Sequence, residues 1–203
     1  MLSYNESLKI LKETSALLEG HFILSSGLHS KQYVQCAKLL SHPNKAEAIC
    51  SSLCEKIKKV FNKIDIILSP AIGGIVVGYE LGRQLKVETI FAERLDQKLV
   101  LRRGFKIPES SNVLIVEDVI TTGKSALECY EIIKKNKAKL VGYASIIDRS
   151  NSEVLIKDKI VSQIKFEIET FKENEIPEEL KKIQSIKPGS KNLSEWKIKD
   201  WEW

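Results

Sequence analysis

Four short apolar runs, each rich in β-branched residues, occupy the middle of the chain and restrict its fold more than any other feature. They are Ile64–Leu68, Glu88–Ala92, Val113–Val116 and Leu140–Ile147. Helical patterns fill two of the gaps between them, over Gly74–Leu85 and Lys124–Asn136. Near-continuous apolar strands that alternate with helices are typical of a parallel sheet covered on both faces. The sequence therefore predicts an α/β fold in which helices flank a parallel sheet.

Weaker patterns on either side of this core predict the remaining elements. The polar stretch over residues 93–112, broken by Gly104 and Pro108, does not favour a helix and predicts a projecting hairpin or loop. Pro43 is well placed to open a helix, because the first helical position does not need the N–H that proline lacks. The other expected elements are a helix over Asn5–Leu18, short strands within His21–Gln35, a strand over Ile160–Thr170 and a short helix over Pro177–Ile183.

The composition is that of one globular domain. The chain has 203 residues, of which 43% are apolar and 29% charged, and its net charge is only +5. This small, dispersed charge favours nucleic acid only weakly, whereas it suits a phosphorylated metabolite. No apolar run approaches the ~20 residues that a membrane-spanning helix needs, and residues 1–10 lack the apolar segment of a signal peptide. We therefore expect a single domain over residues 1–203, with a C-terminal tail over 187–203.

Cysteine usage points to a reducing compartment. Cys36, Cys50, Cys54 and Cys129 show no C-x-x-C spacing, and free cysteines are usually buried as small hydrophobic side chains. Chains without disulfides are typical of the cytoplasm. The sequence thus predicts four buried thiols that hold no metal, and a cytoplasmic location.

The segment Val113–Ser125 carries the strongest functional pattern. Its apolar strand ends in two adjacent carboxylates, Glu117 and Asp118, which a Thr-Thr-Gly turn and the start of a helix follow. Ligands of open parallel sheets bind outside the carboxyl ends of the strands. A turn that leads into a helix N-terminus offers unpaired backbone N–H groups and the positive end of the helix dipole, both of which favour a phosphate. The segment therefore predicts a phosphate site at this edge of the sheet.

The same segment excludes a nucleoside-triphosphate P-loop. Gly123-Lys124-Ser125 matches the end of the G-x-x-x-x-G-K-[ST] pattern, but the first glycine would have to occupy the position of Asp118. A carboxylate there would face the phosphates. The acid pair fits a sugar phosphate instead, because neighbouring strand residues point to opposite sides. Glu117 and Asp118 can then accept hydrogen bonds from two vicinal hydroxyls and help to hold a hydrated Mg²⁺.

This unit resembles the 5-phosphoribosyl 1-pyrophosphate (PRPP) binding motif of type I phosphoribosyltransferases. Four further segments are similar to the orotate phosphoribosyltransferase family, in the pattern common among its bacterial and archaeal members: Gly20–Ser30, Phe91–Arg94, Leu101–Phe105 and Asp148–Arg149. The resemblance implies the type I phosphoribosyltransferase fold, with a small N-terminal hood within residues 1–40. It also implies transfer of ribose 5-phosphate from PRPP to orotate, with Mg²⁺ as cofactor, to give orotidine 5′-monophosphate and pyrophosphate.

The resemblance further implies roles for individual residues. Glu117 and Asp118 would hold the ribose hydroxyls, with Asp118 near the Mg²⁺ that PRPP brings. Thr121 and Arg149 match positions that the family uses for orotate, whose carboxylate a guanidinium can bind with two parallel hydrogen bonds. The pyrophosphate loop would be Ala71, Ile72, Gly73 and Gly74. The rest of the PRPP-binding stretch is Val119, Ile120, Thr121, Thr122, Gly123, Lys124 and Ser125, of which Thr121–Ser125 would hold the 5′-phosphate.

In this family the loop that corresponds to residues 94–105 closes over the active site of the neighbouring subunit, which implies a homodimer. Its cations here are Arg94, Lys98, Arg102 and Arg103. Lys98 is the preferred candidate for neutralising the departing pyrophosphate. Two lysines that are common in the family are replaced by Ser25 in the hood and by Gly73 in the pyrophosphate loop, so their roles are absent or fall to other groups.

Two alternatives stay open from the sequence. A purine or xanthine phosphoribosyltransferase would share the PRPP motif but would not gain from Arg149. A PRPP-sensing regulator that binds nucleic acid would keep the phosphate turn, and the one feature that favours it is the lysine-rich tail with Lys187, Lys191, Lys197 and Lys199. The sequence predicts neither an association with a decarboxylase that would consume the product nor a role for Trp196, Trp201 and Trp203.

Overall fold

The computed structural model describes residues 1–24, 26–150 and 154–188. Their backbone contacts group into two compact units. The first unit consists of Met1–Ala16 and Gln35–Glu167, and the second joins Leu17–Val34 to the chain from Ile168 onward. Outside the described residues lie Ser25 and the tail from residue 189, including Lys191, Trp196, Lys197, Lys199, Trp201 and Trp203.

Helices and strands are numbered here in chain order within the described ranges. The helices are α1 (Tyr4–Glu13), α2 (Cys36–Leu40), α3 (Pro43–Val60), α4 (Gly73–Leu85), α5 (Lys124–Lys135) and α6 (Glu178–Lys181). The strands are β1 (Leu17–Ile23), β2 (His29–Val34), β3 (Ile66–Pro70), β4 (Glu88–Leu95), β5 (Lys98–Leu101), β6 (Asn112–Ile120), β7 (Lys139–Asp148), β8 (Ile160–Lys165) and β9 (Thr170–Phe171).

The first unit is built on a six-stranded sheet with the order β5-β4-β3-β6-β7-β8. Neighbouring strands run parallel, except that β4 and β5 form an antiparallel hairpin at one edge. The central strands are buried on both faces: Ile66 and Leu68 belong to the cluster that contains Cys129 and Ile133 of α5, and the intervening Ile67 is fully buried on the other face. Helix α4 packs against α3, β3, β4 and β6. The predicted α/β fold is confirmed.

The first helix is shorter than predicted. It ends at Glu13 rather than at Leu18, and Ser15 has a φ of +53°. Strand β1 then starts at Leu17, which pairs with Val34 of β2. The prediction of a helix as far as Leu18 is wrong because the apolar residues that follow Glu13 satisfy a strand pairing, which the helical period could not reveal.

The predicted strand over Ile160–Thr170 is two strands in different units. Strand β8 ends at Lys165, within the large parallel sheet. The chain then leaves that sheet, and β9 pairs with β2. The prediction of one continuous strand is wrong because the local pattern over Phe166–Glu169 does not show that its two ends pair with different partners.

The second unit contains a three-stranded antiparallel sheet with the order β1-β2-β9, and α6 packs beside β1. It encloses a pair of buried imidazoles: His21 Nε2 lies 2.6 Å from His29 Nδ1, and His21 Nδ1 lies 3.0 Å from the Ile183 carbonyl oxygen. The segment expected to form a hood within residues 1–40 thus belongs to a unit that the chain from Ile168 completes with a third strand.

All four cysteines are buried and free, as predicted. Burial raises the pKa of Cys50 to about 12 and that of Cys54 to about 11. Burial also raises the pKa of Cys36 and that of Cys129. The cysteines are therefore neutral thiols near pH 7. None of the helices in the described ranges is both long enough and apolar enough to cross a bilayer.

Candidate active site

The acid pair lies within β6 rather than after it. Pairing between β6 and β3 ends at Ile115, whereas pairing between β6 and β7 continues to Ile120. The last residues of β6 therefore extend past the end of their pairing with β3 and form a step at the carboxyl edge of the sheet. Glu117 and Asp118 lie on this step, at the edge that the sequence predicted for them.

Glu117 and Asp118 point to opposite faces of the sheet, as their positions in a strand predict. The Glu117 carboxylate accepts the backbone N–H of Ala126 in the first turn of α5. The Asp118 carboxylate lies against Gly73 at the start of α4, where a Cβ on the glycine would come within 2.7 Å of Oδ1. Each acid therefore faces the N-terminus of a different helix.

Burial makes both acids weaker than they are in water. It raises the pKa of Glu117 to about 8, with a further contribution from the nearby Asp118 charge and an opposing one from the Ala126 N–H. Burial also raises the pKa of Asp118, against hydrogen bonds from the backbone N–H groups of Val119 and of Asp118 itself. Among the described residues, none donates to the buried Oε1 of Glu117. Such desolvated carboxylate oxygens gain from a ligand that brings hydroxyl donors or a cation.

The predicted phosphate turn leads directly into α5, which begins at Lys124. Gly123 precedes the helix and has a φ of +77°, a left-handed conformation that favours glycine. Thr121, Thr122 and Lys124 are exposed, and Ser125 is half-buried. The first turn of α5 contains no acidic residue of its own. The positive dipole end of this 12-residue helix thus lies beside two exposed threonines, an arrangement that favours an anion.

The predicted pyrophosphate loop follows β3 and runs into the first turn of α4. It consists of Ala71, Ile72, Gly73 and Gly74, and its first peptide bond is cis. Close approaches leave little room for side chains at the two glycines. A Cβ on Gly74 would lie 3.1 Å from the Val116 carbonyl oxygen, and one on Gly73 would collide with the Asp118 carboxylate. The lysine that many family members carry at the position of Gly73 would displace that carboxylate here, which gives this departure a physical reason.

Arg149 lies just beyond the carboxyl end of β7, the strand next to β6. Its backbone N–H donates to the Ile120 carbonyl at 2.8 Å, and Ile120 directly precedes Thr121 of the phosphate turn. The Arg149 side chain is half-buried. The preceding residue, Asp148, is buried and lies 3.4 Å from the Lys165 ammonium group. The structure thus brings Arg149 and the phosphate turn to one edge of the sheet, while the orotate-binding role of Arg149 stays a prediction.

The predicted hairpin within residues 93–112 is formed by the end of β4 and by β5, which the two-residue turn Asp96–Gln97 joins. Two of its predicted cations are held by neighbouring acids. Arg94 pairs with Glu128 of α5 at 3.1 Å, and Arg103 pairs with Glu93 of β4 at 2.8 Å. The Arg103 hydrogen bond lowers the pKa of Glu93. Both arginines are therefore engaged by acids of the same unit.

The other two predicted cations of the hairpin are not held in this way. Lys98 and Arg102 are exposed, and within the part of the chain that the structure describes neither makes an ion pair. Lys98 begins β5, directly after the turn. The four cations therefore separate into two that brace the hairpin and two that can reach a ligand, a division for which the sequence alone offers no signal.

Sequence reasoning missed residues that contact the site from outside its motifs. Leu155 donates its backbone N–H to the Thr122 carbonyl at 2.9 Å. The Cys36 thiol lies 3.8 Å from the Asp118 carbonyl oxygen. Both contacts join distant parts of the chain, so no local pattern could have indicated them.

Comparison with known proteins relates this site to a family. Residues 36–183 match the family model of the phosphoribosyl transferase domain. The orotate phosphoribosyltransferase of Caldicellulosiruptor bescii is 48% identical over 91% of this chain and 96% of its own. That of Chlorobium phaeobacteroides is 45% identical over 91% of this chain and 95% of its own.

Solved structures share the fold. The orotate phosphoribosyltransferase of Aeropyrum pernix has a TM-score of 0.67 at 23% identity and covers 78% of this chain and 92% of its own. The adenine phosphoribosyltransferase of Thermoanaerobacter pseudethanolicus has a TM-score of 0.58 at 17% identity and covers 66% of this chain and 88% of its own. The fold is thus shared by proteins named for different bases, whereas high identity over nearly the whole length is found with the orotate enzymes. This chain belongs to the orotate phosphoribosyltransferase family.

Proposed function

We propose that this chain transfers ribose 5-phosphate from PRPP to orotate, a step of pyrimidine biosynthesis that yields orotidine 5′-monophosphate and pyrophosphate. One observation carries the proposal: the desolvated acid pair, the exposed N-terminus of α5 and Arg149 lie along one edge of the sheet in the first unit. A sugar phosphate with vicinal hydroxyls and a base with a carboxylate would satisfy all three groups. The similarity to orotate phosphoribosyltransferases supports this choice of base.

In the proposed complex the 5′-phosphate binds the turn from Thr121 to Ser125. Hydrogen bonds to charged groups contribute roughly 1.5–3 kcal/mol each, so three or four of them account for most of the ~8 kcal/mol of a micromolar ligand. The ribose hydroxyls donate to Glu117 and Asp118. Because these bonds favour the ionised carboxylates, binding should lower the raised pKa of Glu117 toward its ordinary value.

The reaction breaks the bond between C1 of the ribose and the pyrophosphate oxygen, and it forms a bond between C1 and N1 of orotate, whose N1 proton passes to solvent. Positive charge develops on the ribose as the first bond breaks. We expect the carboxylates of Glu117 and Asp118 to stabilise that charge, and the backbone N–H groups of Gly73 and Gly74 to bind the leaving pyrophosphate. The Arg149 guanidinium and the Thr121 hydroxyl would hold orotate in line with C1.

Mg²⁺ fits the acid pair as a cofactor that is shared with PRPP. This ion keeps several waters and is usually held by one or two carboxylates together with substrate phosphates. Glu117 and Asp118 offer such oxygens, and Oε1 of Glu117 has no donor among the described residues. Within residues 1–24, 26–150 and 154–188 no three His, Cys, Asp or Glu side chains come together as a metal site. When bound, the ion would neutralise charge on the leaving pyrophosphate.

The proposal includes a homodimer in which the hairpin acts on the partner's active site. An apolar stripe that starts in the preceding loop and continues along α4 supports this: Ile72, Val76 and Tyr79 are 85%, 50% and 66% exposed and follow one another at helical spacing. Contiguous exposed apolar residues mark protein interfaces. Lys98 and Arg102 would then reach the partner's pyrophosphate. The proposal also includes a cytoplasmic setting, which the four buried free thiols support.

A single assay tests the reaction. Enzyme, PRPP, Mg²⁺ and orotate are mixed, and the loss of orotate absorbance is followed, with uracil, adenine and hypoxanthine as alternative bases. We expect turnover of orotate only, since neither uracil nor a purine carries the carboxylate that Arg149 would bind. Turnover of a purine instead would support the related purine enzymes. No turnover, together with a DNA affinity that falls steeply with salt, would support a regulator.

A further inference from the structure

The phosphate turn rests on Ile156, a residue outside the segments that carry the resemblance to the family. Ile156 is only 4% exposed and belongs to the core cluster that includes Ala126 and Cys129 of α5. A Cβ on Gly123 would lie 2.6 Å from Cγ1 and 2.7 Å from Cδ1 of Ile156. The isoleucine therefore fills the space directly against the backbone of the turn, on the side that faces the core.

The backbone next to Ile156 holds the turn in one orientation. Leu155 donates its N–H to the Thr122 carbonyl at 2.9 Å. In a trans peptide the carbonyl and the following N–H point in opposite directions, so this bond turns the Gly123 N–H away from Leu155. The Gly123 carbonyl accepts the Leu127 N–H at 2.9 Å. The carbonyl oxygens of Thr122 and Gly123, which would repel a phosphate, are thus engaged elsewhere.

We propose that Ile156 is a positioning residue for the 5′-phosphate of PRPP. By packing against Gly123 it keeps the Leu155–Thr122 hydrogen bond formed, and through that bond it keeps the turn's N–H groups directed at the ligand. Ile156 does not touch the phosphate. The inference rests on the proposed function, since it assumes that a sugar phosphate binds this turn.

The test compares Ile156→Ala with Ile66→Ala, a matched control. Ile66 is 3% exposed, lies in the same core cluster and begins β3 at the opposite end of the sheet. The readouts are the Kd of ribose 5-phosphate from calorimetry and the KM for PRPP. Ile156→Ala should raise both about tenfold, equivalent to losing one hydrogen bond to the phosphate, with a smaller change in kcat. Ile66→Ala should leave both within about twofold, because it creates a similar cavity away from the turn.

Ile156→Val serves as a milder variant in case the alanine variant does not fold, because valine lacks only the Cδ1 methyl. It should raise the Kd of ribose 5-phosphate about two- to threefold. Unchanged binding in the folded Ile156 variants, or an equal loss in Ile66→Ala, would overturn the inference. If the wild type binds ribose 5-phosphate but does not turn over orotate, the proposed function fails while the binding comparison still decides the role of Ile156.

Discussion

Replacing Gly73 with alanine should damage the site by moving Asp118. The new Cβ would lie 2.7 Å from Oδ1, 2.8 Å from Oδ2 and 2.9 Å from Cγ of Asp118, and real Cβ atoms essentially never come within 3.0 Å of a heavy atom outside their own residue and its chain neighbours. The carboxylate must therefore withdraw, by about 0.8 Å if it is to reach an ordinary contact near 3.5 Å. Hydrogen bonds between oxygens span only about 2.5–3.0 Å, so the bond from a ribose hydroxyl to Asp118 would be lost or badly weakened.

The expected loss follows from the energy of that bond. A hydrogen bond to a charged group contributes roughly 1.5–3 kcal/mol, which corresponds to about a 10- to 150-fold increase in the KM for PRPP. Steady-state kinetics with orotate at saturation measures this KM. The Kd of ribose 5-phosphate, measured by calorimetry, checks that the change arises in binding.

A double-mutant cycle identifies the cause. In the Asp118→Ala background the atoms that clash with the new Cβ are absent, so Gly73→Ala should have no further effect on the KM for PRPP. An unchanged KM for PRPP in Gly73→Ala alone would show that the carboxylate of Asp118 is not displaced. An increase in this KM that persists when Asp118 has already been replaced would show the same.

Other predictions concern the base, the acid pair and the dimer. Arg149→Ala should raise the KM for orotate at least about tenfold while the KM for PRPP stays within about twofold, and equal increases in both would contradict its role. The pKa of Glu117 is raised from 4.5 to about 8, so the folded chain keeps a proton that the unfolded chain releases, and this group makes stability fall as pH rises across that range. In urea unfolding, the stability of Glu117→Gln relative to wild type should therefore increase between pH 4.5 and 8, and a flat difference would count against the raised pKa. Tyr79→Lys should shift sedimentation from dimer to monomer and lower the activity per chain at low protein concentration; a wild type that sediments as a monomer would rule out the shared site.

The elements that carry the site could be predicted because their signals are local. The apolar run of β6, the acid pair and the Thr-Thr-Gly turn follow one another within thirteen residues, Val113–Ser125. Alternation along a strand was enough to predict that Glu117 and Asp118 face opposite sides. The placement of Arg149 followed from the parallel order of the strands, since the carboxyl ends of β6 and β7 share one edge.

What could not be predicted depends on contacts between distant parts of the chain. The helical pattern of α1 runs on past Glu13 because apolar residues suit a strand as well as a helix, and only the pairing of β1 with β2 decides between them. The acids that hold Arg94 and Arg103 lie on other elements, at Glu128 and Glu93. The support of the phosphate turn by Ile156 has no signature in the turn itself.

A crystal structure of the chain with PRPP and Mg²⁺ would show where the sugar phosphate binds. We predict the 5′-phosphate within hydrogen-bond distance of the backbone N–H groups of residues 121–125, and the two ribose hydroxyls on the carboxylates of Glu117 and Asp118. A 5′-phosphate bound elsewhere, with water alone on the acid pair and the turn, would rule out this binding mode.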